Sequence, residues 1–402
     1  MAVKKILSAS FAVALFTALG CATTPTSRSS SSIPDPRVGL RAGLFDAAQA
    51  AWNLRVVSQT RVPENFSKTM NSDLAFTGPY AIQGNYNGYQ VWDISNPSAP
   101  TLKTAFVCPA SQSDVSVYKN LLFVSGEDLG ARLDCGTQGV KDTVSKDRIR
   151  GLRIFDITDI SNPRNVGNVQ TCRGSHTHTV LVDPRDADNV YVYISGSASV
   201  RSPNELPGCV RLTPDQDPNS ALFRIEVIKV PVAHPERAAI VSSPRIFNEL
   251  TAPPEHGEAP EDIAANRKAV ADARARGGFV ATIFGEEQVI SSRYVQPVLD
   301  SIVKARGGSG PATAADSAAL RGSIQSMVDK RFPPRPRART GPTQCHDITV
   351  YPAIGLAGGA CGGYGLLLDI RDPAHPVRIG AVADSNFSYW HSATFNNDGT
   401  KI

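Results

Sequence analysis

Short apolar runs that end in a tight turn recur along the chain. They occupy residues 89–100, 152–163 and 366–376, with a weaker copy at 223–235. The better copies close with Asp, Asn and Pro, whose side chains and restricted φ favour a turn. Another short apolar stretch follows each turn. The pattern therefore predicts, in every repeat, two strands joined by a proline-containing turn.

A second pattern lies upstream of these runs and aligns without gaps. Its copies occupy residues 72–76, 113–117, 176–180, 346–350 and 391–395. Each copy begins a strand, and a turn and a second strand follow it. Together the two patterns give four antiparallel strands per unit, which is the blade of a β-propeller. The sequence predicts an all-β propeller with four recognisable blades and a fifth that is cut short.

The proline-turn repeat resembles that of the LVIVD-repeat family of β-propellers. The resemblance covers roughly residues 54–402, and the motif is well kept in blades one, two and four and degenerate in blade three. It implies the propeller architecture. It implies little about activity, because the repeat defines the family and a fold does not fix a function.

The two ends of the repeat region depart from the pattern. Residues 54–62 match the fourth strand of a unit without its first three, so we expect them to close the ring against a C-terminal blade. Asp398 and Gly399 form a hairpin-turn signal close to the last residue. We therefore expect a C-terminally truncated chain, since a ring of six or seven blades needs on the order of a hundred further residues.

A long insertion separates blades three and four at residues 244–342. Helical periodicity appears at 261–275, 289–304 and 312–332, with Gly-rich breaks between them. The insertion is either a lid over one propeller face or a solvated surface decoration. The predicted organisation is propeller at 51–243, helical insertion at 244–342, and blade four with the start of blade five at 343–402.

The N-terminus has the pattern of an export signal at residues 1–20, with Lys4 and Lys5 before an apolar stretch that is short for a membrane span. The junction resembles the bacterial lipobox, which implies that Cys21 is lipidated and that residues 21–50 form a lipidated, flexible tether. Ala22 after this Cys resembles lipoproteins of the outer membrane. The predicted location is the cell envelope; the alternative is ordinary cleavage that leaves Cys21 as a free thiol.

Six cysteines remain beyond Cys21, an even number that suits an oxidising compartment. In blades two to four, one Cys precedes the innermost strand and the next lies in the loop after the following strand. The predicted disulfides are Cys108–Cys135, Cys172–Cys209 and Cys345–Cys361. Metal ligation by cysteine is the alternative, but no Cys-x-x-Cys spacing occurs.

Composition supports a turn-rich fold and excludes one class of partner. The chain has 32 Gly and 29 Pro among 402 residues, and its formal net charge is only +4. Lys and Arg are scattered rather than clustered near aromatic residues, so we predict no nucleic-acid partner.

Three histidines could carry chemistry. His176, His346 and His391 hold the same position at the start of the innermost strands of successive blades, so they could converge at the channel mouth. Such a cluster suits Zn, Cu or Fe and leaves a coordination position open. His178 lies on the same side of its strand as His176, and Asp347 is the candidate carboxylate to orient a ligand.

A structural role for these histidines is the alternative. Ser72 and Ser113 stand at the equivalent position of the first two blades. Serine forms hydrogen bonds but is a poor metal ligand, which favours a role at the strand start in the fold itself.

Two functions follow from these patterns. The first is a surface-anchored binding module that presents its loops to a protein, a glycan or a small ligand and touches the membrane only through its N-terminal lipid. The second is an exported metal-dependent enzyme, an oxidoreductase or lyase, with the histidine-held metal at the channel mouth. No motif in the sequence requires a cofactor beyond that metal.

Overall fold

A computed structural model describes residues 35–43, 46–332, 341–387 and 389–402. The predicted signal peptide and Cys21 lie outside the described residues. The chain divides into two units, residues 1–57 and 58–402. The described part of the first unit contains turns without helix or strand. None of the helices among the described residues is long and apolar enough to cross a membrane.

The second unit contains four antiparallel sheets, each built from four strands that are consecutive in sequence. Blade one comprises β1 (Asn71–Thr77), β2 (Tyr80–Asn85), β3 (Gly88–Asp93) and β4 (Thr101–Val107). Blade two comprises β5 (Val115–Tyr118), β6 (Leu121–Gly126), β7 (Gly151–Asp156) and β8 (Arg164–Gln170). Blade three comprises β9 (Thr177–Leu181), β10 (Asn189–Ser195), β11 (Glu226–Pro231) and β12 (Ala239–Ser242). Blade four comprises β15 (Asp347–Tyr351), β16 (Leu356–Cys361), β17 (Tyr364–Asp369) and β18 (Val377–Val382). The predicted β-propeller architecture is confirmed.

The core lies between neighbouring blades. In β6, Leu122 and Val124 pack in the cluster shared with blade one, whereas Leu121 and Phe123 pack in the cluster shared with blade three. Successive side chains of a strand point to opposite faces, so every second residue serves each neighbour. Both faces of the central strands are therefore buried. This explains why the sequence there is continuously apolar instead of alternating.

The proline-containing turns also join neighbouring blades. Thr104 Oγ1 in blade one donates to the carbonyl of Ile160 in the turn of blade two, at 2.8 Å. Tyr193 OH in blade three donates to the carbonyl of Pro373 in the turn of blade four, at 2.9 Å. Ser242 Oγ in blade three donates to Ala374 of the same turn. The repeated motif thus supplies acceptors to the preceding blade as well as reversing the chain.

The predicted helical insertion is present and has a core of its own. It consists of α1 (Pro260–Ala275), the hairpin strands β13 (Val280–Ile283) and β14 (Glu286–Val289), α2 (Ser292–Ala305) and α3 (Ala314–Arg331). The sequence analysis did not predict the hairpin. A capping box of Thr313 and Asp316 begins α3. Leu299 and Leu320 are central members of an apolar cluster formed by insertion residues.

Two predicted strands are absent from the described chain. Residues 54–62, the expected closing strand, have no strand conformation, and neither do residues 389–402. The expected turn at Gly399 is present, with φ +70°, and the Asn396 amide donates to the Lys401 carbonyl at 3.0 Å. A strand needs a partner for its backbone groups. Each of these two segments was expected to pair within a C-terminal blade, which these residues do not form.

Candidate metal site at the channel mouth

One end of the propeller carries the candidate histidines, the long loops and the insertion. In a four-stranded antiparallel blade, the first strand begins at the same end as the loop between strands two and three. In blades two and three these loops are long, at residues 127–150 and 196–225. The insertion leaves β12 and enters β15 at this same end. The candidate histidines therefore share one face with the disulfide-bonded loops and the insertion.

His176 and His346 lie side by side at this end. Their backbones are held alike, because the His176 amide donates to Ser195 at 2.9 Å and the His346 amide donates to Ala360 at 2.8 Å. The Nε2 atoms of the two imidazoles face each other at 3.2 Å. The ring centroids are 4.8 Å apart and the ring planes are nearly perpendicular, at 71°.

The outer nitrogen of each ring contacts an acceptor. His176 Nδ1 lies 2.6 Å from Glu127 Oε1, and His346 Nδ1 lies 2.8 Å from the His391 carbonyl oxygen. A carboxylate and a carbonyl can only accept, so each Nδ1 carries the hydrogen. In the neutral rings each Nε2 then presents a lone pair. Two lone pairs at 3.2 Å repel each other unless a proton or a cation lies between them.

The electrostatic environments of the two rings differ. The hydrogen bond to Glu127 raises the pKa of His176, although burial acts in the opposite direction. Burial and the neighbouring His391 and His176 lower the pKa of His346. A shared proton therefore resides on His176, which then donates to Glu127 and to His346 at once. This pair can hold one positive charge between two nitrogens.

His391 lies next to the pair, and its ring stacks on the face of the His346 ring. Its ring centroid lies 3.8 Å from that of His346, with the planes tilted by 32°, and the residue is exposed. Tyr389 lies near both rings, with its ring centroid 6.1 Å from that of His346 and 6.0 Å from that of His391. In the part of the chain that the structure describes, no group of three or more His, Cys, Asp or Glu side chains is arranged to hold a metal ion.

His178 belongs to a separate interior network. Its Nδ1 lies 2.8 Å from Ser125 Oγ and 3.1 Å from Asp114 Oδ2, and its backbone amide donates to that carboxylate at 2.8 Å. Burial acts to raise the pKa of Asp114, but the contact with His178 outweighs it and the pKa is lowered. Asp347 accepts from the Ile348 amide at 2.8 Å, and burial raises its pKa.

Glu127 is the orienting carboxylate that the sequence analysis missed. It follows β6 directly, and Ser197 Oγ donates to its second oxygen at 3.0 Å. Its position is outside the aligned pattern, so the repeat gave no reason to choose it. One signal could have identified Glu127. It lies at the start of a loop between strands two and three, and such loops are at the same end of the blade as His176.

The first residues of the inner strands also link neighbouring blades. Ser72 Oγ donates to the Gln112 carbonyl, and Gln112 Nε2 donates to the His176 carbonyl at 3.1 Å. Thr177 Oγ1 donates to the His346 carbonyl at 2.6 Å. The shared position at the strand start therefore has a structural task in addition to any chemistry of the imidazoles.

The three predicted cysteine pairs lie at disulfide distance. They are Cys108–Cys135, Cys172–Cys209 and Cys345–Cys361. The first two tie the long loops of blades two and three to segments that precede the innermost strands.

The blade motif is also recognised by comparison with known families. Residues 70–107 match the LVIVD repeat, and these residues span all four strands of blade one. The resemblance seen in the sequence is thus confirmed for that blade. No curated protein sequence matches the chain.

Solved structures with similarity to this chain overlap it weakly. A hypothetical selenium-binding protein from Sulfolobus tokodaii is 9% identical, with 84% of this chain and 55% of that chain covered at a TM-score of 0.37. The periplasmic gluconolactonase of Pseudomonas aeruginosa is 14% identical, with 78% and 70% covered at a TM-score of 0.29. The phage phi92 endosialidase is 11% identical, with 42% and 25% covered at a TM-score of 0.25. The chain thus spans about half of the first protein and a quarter of the last.

Proposed function

We propose that this protein is an envelope-anchored binding propeller whose channel mouth holds a divalent transition metal ion between His176 and His346. The observation that supports the proposal is the close approach of the two Nε2 atoms, which face each other at 3.2 Å. Each lone pair is directed there because the opposite nitrogen of its ring already donates to a fixed acceptor.

The geometry of the pair fits a metal ion. A tetrahedral zinc ion with bonds of about 2.0–2.1 Å places neighbouring ligand nitrogens about 3.3 Å apart. Histidines that bind metals donate their other N–H to a carboxylate or a carbonyl, as His176 and His346 do here. His391 becomes a third ligand if its ring turns away from the face of His346. Imidazole donors suit Zn and Cu best.

Two or three protein ligands leave coordination positions open. In a binding protein, a donor atom of a protein, glycan or small ligand fills such a position. In the alternative function, an exported oxidoreductase or lyase, a substrate or an activated water fills it. We favour binding because Glu127, the carboxylate in contact with the pair, is committed to His176 and Ser197.

Metal analysis of the mature protein tests the proposal. We expect about one equivalent of Zn or Cu, lost in His176→Ala and His346→Ala. His375→Ala is the matched control, because His375 is exposed in a proline-containing turn. A folded wild-type protein that takes up no metal, or a His346→Ala variant that binds as tightly as wild type, would refute the site.

Export and anchoring belong to the same proposal and have their own test. The signal pattern before Cys21, the lipobox resemblance and the three cysteine pairs support them. Mass spectrometry of the mature N-terminus should find an acylated Cys21, and Cys21→Ala should release the protein from the membrane fraction. An unmodified Cys21 in a soluble wild-type protein would contradict the anchor.

A further inference from the structure

The long loops at the histidine end enclose a cavity of about 740 Å³, within the range of small-molecule sites. The cavity lies between the loop after β6 and the loop after β10. Its charged lining is made up of four arginines and two carboxylates: Arg148, Arg150, Arg201, Arg211, Glu205 and Asp217. Positive charge is therefore in excess.

Two of these arginines share one carboxylate. Arg148 Nη1 contacts Glu205 Oε2, and Arg201 Nε donates to Glu205 Oε1 at 3.0 Å. All three side chains are almost fully buried. Arg148 also donates to the carbonyls of Leu129 and Thr143. These two arginines hold the loops together, and Glu205 balances only one of them.

Arg150 forms no ion pair with a carboxylate among the described residues, although the charges of Glu127 and Glu205 act on it from a greater distance. It is 1% exposed, and its side chain donates to two backbone carbonyls, to Glu127 at 3.0 Å and to Ser199 at 2.9 Å. Burial and the charge of Arg201 lower the pKa of Arg150 to about 10, so it stays protonated at neutral pH.

A buried charge without a carboxylate in direct contact is unfavourable, and an anion that enters the cavity relieves this cost. The rest of the wall is largely apolar, including Leu129, Val200 and Leu212. The guanidinium group matches the geometry of oxyanions with two parallel hydrogen bonds.

We propose that this cavity binds a small organic anion, with its oxyanion group on Arg150 and its hydrocarbon part against Leu129, Val200 and Leu212. Arg211 is exposed at the rim and adds positive charge at the entrance. The proposal goes beyond the metal site. It concerns a different cavity, although the backbone of Glu127 contacts Arg150 while its side chain contacts His176.

Calorimetric titration of the full-length protein after metal removal tests the proposal. The probes are sodium hexanoate, inorganic phosphate and neutral hexan-1-ol. We expect saturable binding of hexanoate, at least tenfold weaker binding of phosphate, and no saturable binding of the alcohol. Arg150→Gln should weaken hexanoate binding at least tenfold. Lys141→Gln, which removes an exposed charge from the same loop without touching the cavity, should leave it unchanged.

Replacement of a buried arginine can also disturb folding, so a second variant tests the same point at the surface. Leu212→Glu places a carboxylate at the exposed rim, where the residue is 51% exposed, and should weaken hexanoate binding by a similar factor. Absence of saturable hexanoate binding would overturn the proposal. So would hexan-1-ol or phosphate binding as tightly as hexanoate, or wild-type affinity in both Arg150→Gln and Leu212→Glu.

Discussion

At the scale of a single residue, Glu127 determines which nitrogen of His176 carries the hydrogen. Its carboxylate fixes the hydrogen on His176 Nδ1 and thereby directs the Nε2 lone pair at His346. Removing the charge while keeping an amide oxygen as acceptor weakens this orientation and lowers the basicity of the ring. We therefore predict that Glu127→Gln binds zinc 10–100-fold more weakly than wild type, as measured by competition with a chelating dye.

The neighbouring exposed Asp128 gives the matched control, because it follows Glu127 in the same loop without contacting either ring. Asp128→Asn should keep wild-type zinc affinity. Equal losses in the two variants would assign the effect to the loop as a whole rather than to the contact with His176.

Glu226 of β11 provides a test of pH dependence. The residue is 7% exposed, and burial raises its pKa although Arg224 and Arg173 act in the opposite direction. As pH rises above 4.5, the ordinary pKa of this carboxyl, the unfolded chain loses the Glu226 proton before the folded chain does. Between the pKa of Glu226 in the unfolded chain and its higher pKa in the folded chain, the folded state binds more protons. The contribution of Glu226 to stability therefore falls as pH rises through this range.

Glu226→Gln removes this titration while keeping a polar side chain of the same shape. We predict that its free energy of unfolding relative to wild type is higher at about pH 8 than at about pH 4.5, because only the wild type loses this contribution as pH rises. Urea denaturation at the two pH values measures the change. A flat or falling difference for Glu226→Gln would contradict the prediction.

Sequence periodicity located the histidines but not their chemistry. The aligned strand starts identified His176, His346 and His391, because repeats place equivalent residues at equivalent sites. Which nitrogen faces which neighbour depends on Glu127 and on the His391 carbonyl, and neither belongs to the repeated pattern. His178 was grouped with them by strand alternation alone, and its contacts with Asp114 and Ser125 place it in another network.

At the scale of elements, the disulfide Cys172–Cys209 has two tasks. It closes the longest of the three loops, with a sequence separation of 37, against 16 for Cys345–Cys361. Cys209 also lines the arginine cavity. Loop-closure entropy predicts that replacing both cysteines by serine lowers the free energy of unfolding by about 4 kcal/mol for Cys172–Cys209 and about 3 kcal/mol for Cys345–Cys361.

The two paired-serine variants should differ more clearly in binding than in stability. We predict that Cys172→Ser/Cys209→Ser weakens hexanoate binding, since the cavity wall is released. Cys345→Ser/Cys361→Ser should keep wild-type affinity, because its loop is in blade four and does not line the cavity. Urea denaturation and calorimetric titration measure the two effects; equal hexanoate affinity in both variants would contradict the role of the loop.

The blades were predictable because both faces of each central strand are buried and one turn motif repeats. The three insertion helices followed from their periodicity as well. The hairpin β13–β14 escaped prediction because its strands have four residues each and Glu286–Val289 is polar and exposed. The strand expected at 54–62 is absent because the C-terminal blade that was to pair with it is not formed by the described residues.

At the scale of the whole molecule, the two ends of the insertion meet beside blade four. The carbonyl of Leu250 lies against Gly341, so close that a Cβ atom there would overlap it. Tyr364 OH of blade four donates to the Thr251 carbonyl at 3.1 Å and holds one side of this junction. The apolar cluster of the insertion includes no blade residue.

We predict that replacing residues 252–340 by a four-residue Gly-Ser linker leaves the propeller folded. The thermal midpoint should change by less than about 4 °C, equivalent to about 1 kcal/mol. Circular dichroism and thiol titration measure fold and disulfides. Phe247→Ala in the core between blades three and four serves as the contrast, with an expected loss of about 3–5 kcal/mol. An insoluble deletion variant would show that the insertion supports the ring.

The pairing of cysteines has a consequence for how the molecule is made. Each bridge joins cysteines that are neighbours in the sequence, and no bridge encloses another. A chain that emerges from a pore N-terminus first can therefore close each bridge before the next cysteine appears. Oxidation in order of emergence gives the native connectivity without any reshuffling. Maturation should then depend on a thiol oxidase and be indifferent to the loss of a disulfide isomerase.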